Sequence, residues 1–403
     1  MTRSTQTLIS ARKKRDRILG VLALITIGLA WWIGALRQTN DIGQYLPKAL
    51  PRATRFENQS NGIYAGYDSN NKLVGYVGVG DATGYGGPLQ VAVGISPSGG
   101  LVGVAVANNK ETPAYLNDVL KSPFVNAFVG KTTSDPLLID NDLDAVSGAS
   151  YTARAVADAA RSASRKVGVA ELGQSFPADQ LAQVQIGLPE ITVVLLYLVG
   201  FIGHRNKFRL QKQARWFSLL AGLIVLGFLY NIPLSLANFN SLLLGFFPVW
   251  QTHLYWYLLI GGVIFVFTAD NKNPYCEWFC PFGAVQECAG AIGHATPWTP
   301  PQHREALRWM QRGLAWLAIV IAMLARNPGS TSYEVFGMMF HLIGSNWQFI
   351  LLALIVILSF CIKRPWCNFL CPIRPVTDFI RLIRGGIIDL WQMSRRRIFP
   401  GAT

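Results

Sequence analysis

Apolar runs long enough to cross a membrane recur along this chain, and one polar stretch separates the first run from the other five. An apolar helix of about 20 residues spans a hydrocarbon core of ~30 Å. We therefore predict six transmembrane helices, at residues 18–36, 188–203, 216–230, 249–267, 309–324 and 346–362. The polar stretch between the first two spans, residues 37–187, is predicted to be a separate soluble domain.

Lys and Arg residues concentrate in three segments that alternating spans would place on the same side of the membrane. These segments are ARKKRDR at 11–17, HRNKFRLQKQAR at 204–215 and SRRRIFP at 394–400. Because Lys and Arg are enriched on the cytoplasmic side, we predict a multi-pass protein of the bacterial cytoplasmic (inner) membrane. Both termini would be cytoplasmic and residues 37–187 extracytoplasmic. These cytoplasmic Lys and Arg residues then account for the formal net charge of +14, so membrane lipid and no nucleic acid is expected as a partner. For the first span, a cleaved signal peptide is the alternative to the uncleaved anchor that we favour.

The polar domain contains patterns of both strands and helices. Residues 73–80, 89–96 and 101–108 are rich in Val, Leu and Gly, and the turn PSGG at 97–100 joins the last two. Short helices are predicted at 114–119 and 125–129, and an Ala-rich helix at 152–167. This order of elements predicts a small α+β domain.

The predicted fold class is a multi-domain membrane protein, with this α+β domain outside and an α-helical bundle of about six spans. The predicted parts are a basic cytoplasmic N-terminus at 1–16, an anchor at 17–36, the extracytoplasmic domain at 37–187, a five-span membrane domain at 188–375 and a basic amphipathic cytoplasmic tail at 376–403.

The six cysteines form two groups with mirrored spacing. CEWFCPFGAVQEC holds Cys276, Cys280 and Cys288, and CIKRPWCNFLCP holds Cys361, Cys367 and Cys371. Each group contains C-x3-C-P, the closing half of a bacterial ferredoxin run. Both groups follow spans that end at the predicted cytoplasmic face, where reducing conditions disfavour disulfides. We predict one iron–sulfur cluster, of the 4Fe-4S type, held by Cys276, Cys280, Cys367 and Cys371. Cys288 and Cys361 are alternative ligands if two incomplete sites exist, and zinc or buried non-ligating thiols are the other interpretations.

A second candidate site is the hydroxyl-rich stretch DAVSGASYTARAV, residues 144–156, where the Ala-rich helix is predicted to begin. Helix N-termini bind phosphate through free N–H groups and the positive end of the helix dipole. Gly148 and Ala149 leave room for a large group to approach the backbone. An ordinary serine cap is the alternative interpretation.

The segment DAVSGAS resembles the flavinylation motif D-x-x-[ST]-G-A-[ST] of the FMN-binding domain family. That family includes the FMN-carrying subunits of the Rnf and sodium-pumping quinone reductase complexes. The resemblance implies that a flavin transferase attaches FMN through a phosphoester bond to Ser150, with Thr152 as the alternative. The rest of the motif corresponds to Asp144, Ser147, Gly148 and Ala149.

Two further segments carry the same resemblance. TGYGGPLQVAVGIS resembles the family's glycine-rich strand lead-in, and NNKETPAYL resembles its E-T-P-G loop, with Ala114 in place of the last Gly. The resemblance implies that four residues of these segments lie near the flavin: Tyr85, Gly86, Glu111 and Thr112.

The combination of an FMN domain, a multi-span part and paired C-x3-C-P motifs resembles the NosR/NirI-type membrane flavoproteins over nearly the whole chain. Those proteins end in a soluble ferredoxin domain, whereas this sequence ends at FPGAT. The resemblance implies electron transfer across the membrane between FMN and an iron–sulfur centre, with quinone or other redox proteins as partners. The alternatives are a redox-sensing regulator or maturation factor of a respiratory system such as nitrous oxide reduction, and a subunit of a larger ion-pumping complex.

Electron transfer between such centres would have to cross a hydrocarbon core of ~30 Å. We therefore expect either that the soluble domain leans onto the bilayer or that a third carrier lies between the centres. His253, near the outer end of a span, and His341, in the outer segment FGMMFHLIG, are candidates for a b-type haem or a quinone site. Structural histidines are the alternative interpretation.

Overall fold

The computed structural model describes residues 3–38, 42–177, 183–205, 209–298 and 303–398. The polar domain contains one antiparallel sheet whose five strands are neighbours in chain order. The strands are β1 (Arg55–Ser60), β2 (Ile63–Tyr67), β3 (Leu73–Thr83), β4 (Pro88–Ile95) and β5 (Leu101–Asn109). The three predicted strands correspond to β3, β4 and β5, whereas β1 and β2 were not predicted.

The missed hairpin had a recognisable turn. Asn61 and Gly62 join β1 to β2, and both have positive φ angles, of 53° and 77°. Asn-Gly is a strong signal for a two-residue hairpin turn. The strand before it, RFENQS, is largely exposed at the sheet edge and lacks an apolar alternation, so its hydrophobic pattern gave no strand signal.

The helices of the polar domain are α2 (Leu46–Ala49), α3 (Pro113–Lys121) and α4 (Ser150–Leu172), with a 3₁₀ turn at Val125–Phe128. The predicted Ala-rich helix is therefore present as α4. Two glycines of β3 allow this helix to pack closely against the sheet. A Cβ atom added at Gly80 would lie 2.0 Å from the Ala159 carbonyl oxygen, and one at Gly78 would lie 2.6 Å from that of Ala163.

The apolar runs form helices that pack into a bundle. They are α1 (Arg3–Leu36), α5 (Leu188–Arg205), α6 (Gln211–Ala221), α8 (Leu254–Asp270), α10 (Arg304–Ala325) and α12 (Asn346–Cys361). Residues Gly222–Leu229 continue α6 as a π-helix. Within the part of the chain that the structure describes, three helical segments are long and apolar enough to cross a membrane: Lys14–Leu36, Gln211–Leu229 and Arg304–Ala325. The other three are apolar but shorter: Leu188–Gly203, Leu254–Asp270 and Asn346–Cys361.

Short elements connect these helices. They are α7 (Leu236–Leu244), a π-helical turn at Tyr275–Phe279, α9 (Pro281–Ile292), α11 (Phe336–His341), α13 (Pro365–Phe369) and the long α14 (Ile373–Ile398). Helix α14 includes residues 376–398 of the predicted tail, and residues 399–403 lie outside the described residues. Two close approaches position them. A Cβ atom at Gly222 would lie 2.3 Å from the Phe279 carbonyl oxygen, and one at Gly227 would lie 2.7 Å from the Phe340 ring. The extension of α6 therefore contacts both a cysteine motif and the segment that contains His341.

Candidate functional site

A cavity of about 280 Å³ lies where the polar domain, called the sheet domain from here on, meets the helical bundle. The residues of its first wall come from the sheet domain: Tyr85, Tyr115, Gly148, Ala149, Ser150, Tyr151, Thr152 and Arg154. The residues of its second wall come from the bundle: Leu229, Tyr230, Asn231 and His341. The sequence motif therefore faces a half-open cavity that both parts of the chain complete.

The two candidate attachment residues differ sharply in accessibility. Ser150 is exposed at the first position of α4, and its hydroxyl donates to the Val146 carbonyl at 3.3 Å. Thr152 is only 1% exposed, and its hydroxyl donates to Oε2 of Glu111 at 2.8 Å. Ala149, rather than a serine, occupies the N-cap position of α4, and no side chain caps the helix. Ser150 is thus the more accessible hydroxyl, and it does not serve as an ordinary cap.

The helix start also carries positive charge. The N-terminus of α4 presents the positive end of the helix dipole. Arg154, one turn further on, lines the same cavity and pairs with Asp140 at 3.7 Å. Both features favour a negatively charged group, such as a phosphate, beside Ser150.

Glu111 holds the surrounding loops together without lining the cavity. Its buried carboxylate accepts hydrogen bonds from the Gly86 backbone N–H at 3.2 Å and from the Thr152 hydroxyl. Burial raises the pKa of Glu111 from 4.5 to about 7, and these hydrogen bonds oppose part of that rise. The carboxylate therefore links the glycine-rich loop to the first turn of α4.

The other predicted flavin neighbours have different positions. Tyr85, Gly148 and Ala149 line the cavity, whereas Asp144 and Ser147 are exposed residues of the loop before α4. The remaining three lie behind the cavity, against the bundle: Gly86, Glu111 and Thr112.

This rear contact is specific. The Gly86 carbonyl accepts a hydrogen bond from Ser241 at 3.4 Å, and the Glu111 carbonyl accepts one from the Asn327 side chain at 3.2 Å. A Cβ atom at Gly329 would lie 2.4 Å from the Thr112 hydroxyl oxygen. The E-T-P loop is therefore a docking surface for the bundle.

Sequence reasoning missed most of the wall that the bundle contributes. The Asn231 side chain donates to the Tyr115 hydroxyl and hydrogen-bonds Nδ1 of His341, both at 3.1 Å. The same Nδ1 atom lies 3.3 Å from the Gly148 carbonyl oxygen. No local signal marks Asn231, because its role depends on a domain contact between distant parts of the chain. His253, the other candidate histidine, packs on Tyr151 with ring centroids 5.6 Å apart and does not line the cavity.

Four of the six cysteines lie close enough to interact. The buried Cys371 thiol interacts electrostatically with the thiols of Cys367, Cys276 and Cys280. By contrast, the charged neighbour of Cys288 is Glu287, and Cys361 is exposed. The structure thus brings together the four thiols of the two C-x3-C-P motifs.

Polar groups surround these thiols. The side-chain amide of Asn273 donates to Sγ of Cys276 at 2.9 Å, and that of Gln286 donates to Sγ of Cys367 at 3.4 Å. Arg364 is largely buried, pairs with Glu287 at 2.9 Å and donates to the Cys276 carbonyl at 2.7 Å. Among the described residues, its Nη2 atom is buried without a hydrogen-bond partner.

Four thiols, two amide donors to sulfur and an adjacent guanidinium are a donor set suited to an iron–sulfur cluster, whose potential depends on such hydrogen bonds. Within the described ranges, no group of three or more His, Cys, Asp or Glu side chains has a geometry that would hold a metal ion.

Tyr275 connects the thiols to the cavity that Ser150 lines. Its hydroxyl accepts a hydrogen bond from the Leu234 backbone N–H at 2.8 Å and also hydrogen-bonds the Cys280 thiol. Leu234 follows the cavity residue Asn231 by three positions in a buried coil. Because three residues span at most about 11 Å, the cavity wall and the contact with Tyr275 are close together.

Comparison with known families gives two matches. Residues 84–165 match the FMN-binding domain family, and residues 252–297 and 347–390 match the 4Fe-4S binding domain family. The first match contains Ser150 and Glu111, and the second contains all six cysteines.

The chain is also similar to individual proteins of known name. The chain is similar to protein NirI of Paracoccus denitrificans, with 28% identity over 227 residues, which are 50% of this chain and 32% of NirI. It is similar to the regulatory protein NosR of Pseudomonas aeruginosa, with 22% identity over 205 residues, 47% of this chain and 28% of NosR. One subunit of the ion-translocating oxidoreductase complex of Methanosarcina acetivorans is 32% identical over 142 residues, 32% of this chain and 76% of that protein.

The chain belongs to the NosR/NirI-type family of FMN-binding membrane flavoproteins. It spans about a third of the length of NirI, since the match covers 32% of that protein. The two matched domains support FMN and iron–sulfur cofactors in this NosR/NirI-type protein.

Proposed function

We propose that this NosR/NirI-type protein passes electrons across the cytoplasmic membrane between FMN covalently attached to Ser150 and a 4Fe-4S cluster held by four cysteines. These ligands are Cys276, Cys280, Cys367 and Cys371. FMN exchanges electrons singly or in pairs and the cluster exchanges one at a time, so together they connect donors and acceptors of both kinds.

The proposed attachment residue follows from accessibility and charge. Ser150 opens onto the cavity, whereas the Thr152 hydroxyl is buried and already bonded to Glu111. The start of α4 and Arg154 provide the positive environment that a phosphoester requires. In this proposal Glu111 positions the first turn of α4, and Arg154 offsets the phosphate charge.

The proposed topology has six spans. Three segments meet the length and hydropathy of a span, and three shorter apolar helices supply the others. With the basic segments in the cytoplasm, the sheet domain lies outside. Residues 37–187 and 188–375 are then the extracytoplasmic and membrane domains, followed by the cytoplasmic tail at 376–403.

In this topology the cysteine motifs re-enter the bilayer. Tyr333 and Phe336 belong to the outer connection between α10 and α12, yet the Tyr333 hydroxyl donates to the Leu370 carbonyl at 3.0 Å. The Phe336 ring lies 6.4 Å from that of Trp366. Both contacts join an outer segment to the second cysteine motif, so the thiols sit well inside the membrane part.

The observation that carries the proposal is the short connection between the two sites. Asn231 lines the cavity, and Leu234 bonds to Tyr275, which contacts the Cys280 thiol. A path along these residues is far shorter than a hydrocarbon core of ~30 Å. Because electron tunnelling slows steeply with distance, this arrangement supports direct transfer, with the sheet domain leaning onto the bundle.

Denaturing gel fluorescence of the full-length protein tests the flavin half of the proposal. We expect flavin fluorescence on the wild-type band to survive SDS, to disappear in Ser150→Ala and to persist in Thr152→Ala. Loss in Thr152→Ala alone would move the attachment to Thr152. A wild-type band without flavin would contradict covalent attachment altogether.

A second candidate function is that of one component in a larger redox complex. The observation that favours it is the similarity to proteins named as subunits of ion-translocating oxidoreductase complexes. Copurification of further membrane chains with bound redox groups would support this candidate. Steady-state turnover between an artificial donor and acceptor would favour a carrier over a redox-sensing regulator. Quinone and a flavin transferase remain proposed partners in each case.

A further inference from the structure

We propose that the bundle supplies one side of the flavin ring's binding site, with His341 and Asn231 as the residues that contact the ring. The inference rests on the proposed function and deepens it. His341 would then be a flavin-binding residue rather than a ligand of haem.

The cavity has the composition that an isoalloxazine ring requires. This ring is a flat aromatic system with hydrogen-bonding groups along one edge. Three tyrosines of the sheet domain, Tyr85, Tyr115 and Tyr151, provide aromatic surface. Asn231 and His341 provide hydrogen-bonding groups on the opposite wall. The volume of about 280 Å³ is close to the lower end, about 300 Å³, of ordinary ligand pockets.

The two bundle residues are held in place by the flavin motif and its neighbour. Asn231 donates to the Tyr115 hydroxyl at 3.1 Å, and Nδ1 of His341 lies 3.1 Å from the Asn231 amide nitrogen and 3.3 Å from the Gly148 carbonyl oxygen. Gly148 has a φ angle of +78°, and it belongs to the seven-residue motif that ends at Ser150. A flavin attached to Ser150 would therefore lie next to His341.

The contacts of His341 satisfy either neutral tautomer. Nδ1 can accept a hydrogen bond from the Asn231 amide, and Nε2 then carries the proton. Alternatively, Nδ1 can donate to the Gly148 carbonyl, and Nε2 is then an acceptor. The pyrazine part of a flavin accepts a hydrogen bond when oxidised and donates one when reduced. His341 can thus hydrogen-bond the ring in both oxidation states, but through a different tautomer and with a different protein partner in each, so its contribution differs between oxidised and reduced flavin.

The test measures the midpoint potential and the fluorescence of the flavin in the full-length protein, after SDS-stable flavin has been quantified. A hydrogen bond to the ring can be stronger in one oxidation state of the flavin than in the other. Its loss should change the ratio of oxidised to reduced flavin, at a fixed potential, by about fivefold. We expect His341→Ala and Asn231→Ala to produce such a shift and to increase flavin fluorescence, with flavin content unchanged.

His253→Ala is the matched control, because His253 packs on Tyr151 but does not line the cavity. His341→Gln keeps a hydrogen-bonding side chain and should restore most of the wild-type potential, and Asn231→Ala decides the matter if His341→Ala does not fold. Potentials of His341→Ala and Asn231→Ala equal to that of the His253 control would overturn the inference. A haem absorption band that disappears with His341 would overturn it as well. Absence of flavin from the wild-type protein would instead contradict the proposed function.

Discussion

The flavin side and the cysteine side of this molecule are built in different ways. On the flavin side, the proposed attachment motif is one short stretch, residues 144–150, which a loop and a helix start present as a continuous unit and which the bundle faces across the cavity. The cysteine side is assembled from two motifs, ending at Cys280 and Cys371, that only the packing of the bundle brings together. The sequence alone predicts the residues of a local motif. For an assembled site it predicts the two halves but not how they meet.

The largest expected effect concerns the assembled site. Cys280→Ser or Cys367→Ser should abolish iron and acid-labile sulfide binding, because each removes one of four thiols that interact with one another. Covalent flavin should remain, since its site lies in the other domain. Iron analysis and electron paramagnetic resonance of the reduced protein provide the measurement.

Cys288→Ser and Cys361→Ser are the matched controls for this experiment. Neither thiol shares the mutual interaction of the other four, and Cys361 is exposed. Both variants should retain wild-type iron content. Equal loss of iron in all four variants would show that the cluster has a different set of ligands.

A second experiment tests the buried carboxylate of the flavin side. The pKa of Glu111 is raised from 4.5 to about 7 in the folded state, so folding favours its protonated form. Its stabilising contribution is therefore complete below pH 4.5 and is lost as the pH rises to about 7. The difference amounts to about 3 kcal/mol, at 1.36 kcal/mol for each pKa unit.

Glu111→Gln should remove this pH dependence, because the amide remains neutral and can still accept a hydrogen bond from Gly86. Thermal unfolding followed by flavin fluorescence, between pH 5 and 8, would show a falling wild-type midpoint and a flatter variant curve. Parallel curves for the two proteins would mean that Glu111 is ionised in the folded state throughout this range.

The smallest expected effect concerns the connection between the two sides. Tyr275→Phe removes the hydroxyl that contacts both Leu234 and Cys280. One hydrogen bond of about 1 kcal/mol is lost, so the oxidised-to-reduced ratio of the cluster at a fixed potential should change by about fivefold. Iron content should be unchanged.

Tyr257→Phe is the control for Tyr275→Phe, because the Tyr257 hydroxyl donates to the Pro248 carbonyl, at 2.7 Å, rather than contacting a thiol. If the cluster potential shifts equally in both variants, the Tyr275 hydroxyl does not connect the two sites. A response to Tyr275→Phe alone would support the connection.

The same contrast explains how much could be predicted from the sequence. The strands β3, β4 and β5, helix α4 and the apolar helices follow from local patterns, and the two family matches confirm the FMN and iron–sulfur cofactors. The edge strand β1 was missed because its side chains are mostly exposed. Tyr115 and Asn231 were missed because they meet only after the sheet domain docks on the bundle. Ligand assignment and membrane orientation remain predictions for the experiments above.

The most direct test of the central claim is flash reduction of the flavin in purified, quinone-free protein, with cluster reduction followed optically. The account predicts that the electron reaches the cluster within one molecule, at a rate that does not depend on protein concentration. Cluster reduction that occurs only after quinone is added, or only in proportion to protein concentration, would contradict a direct connection between the two sites.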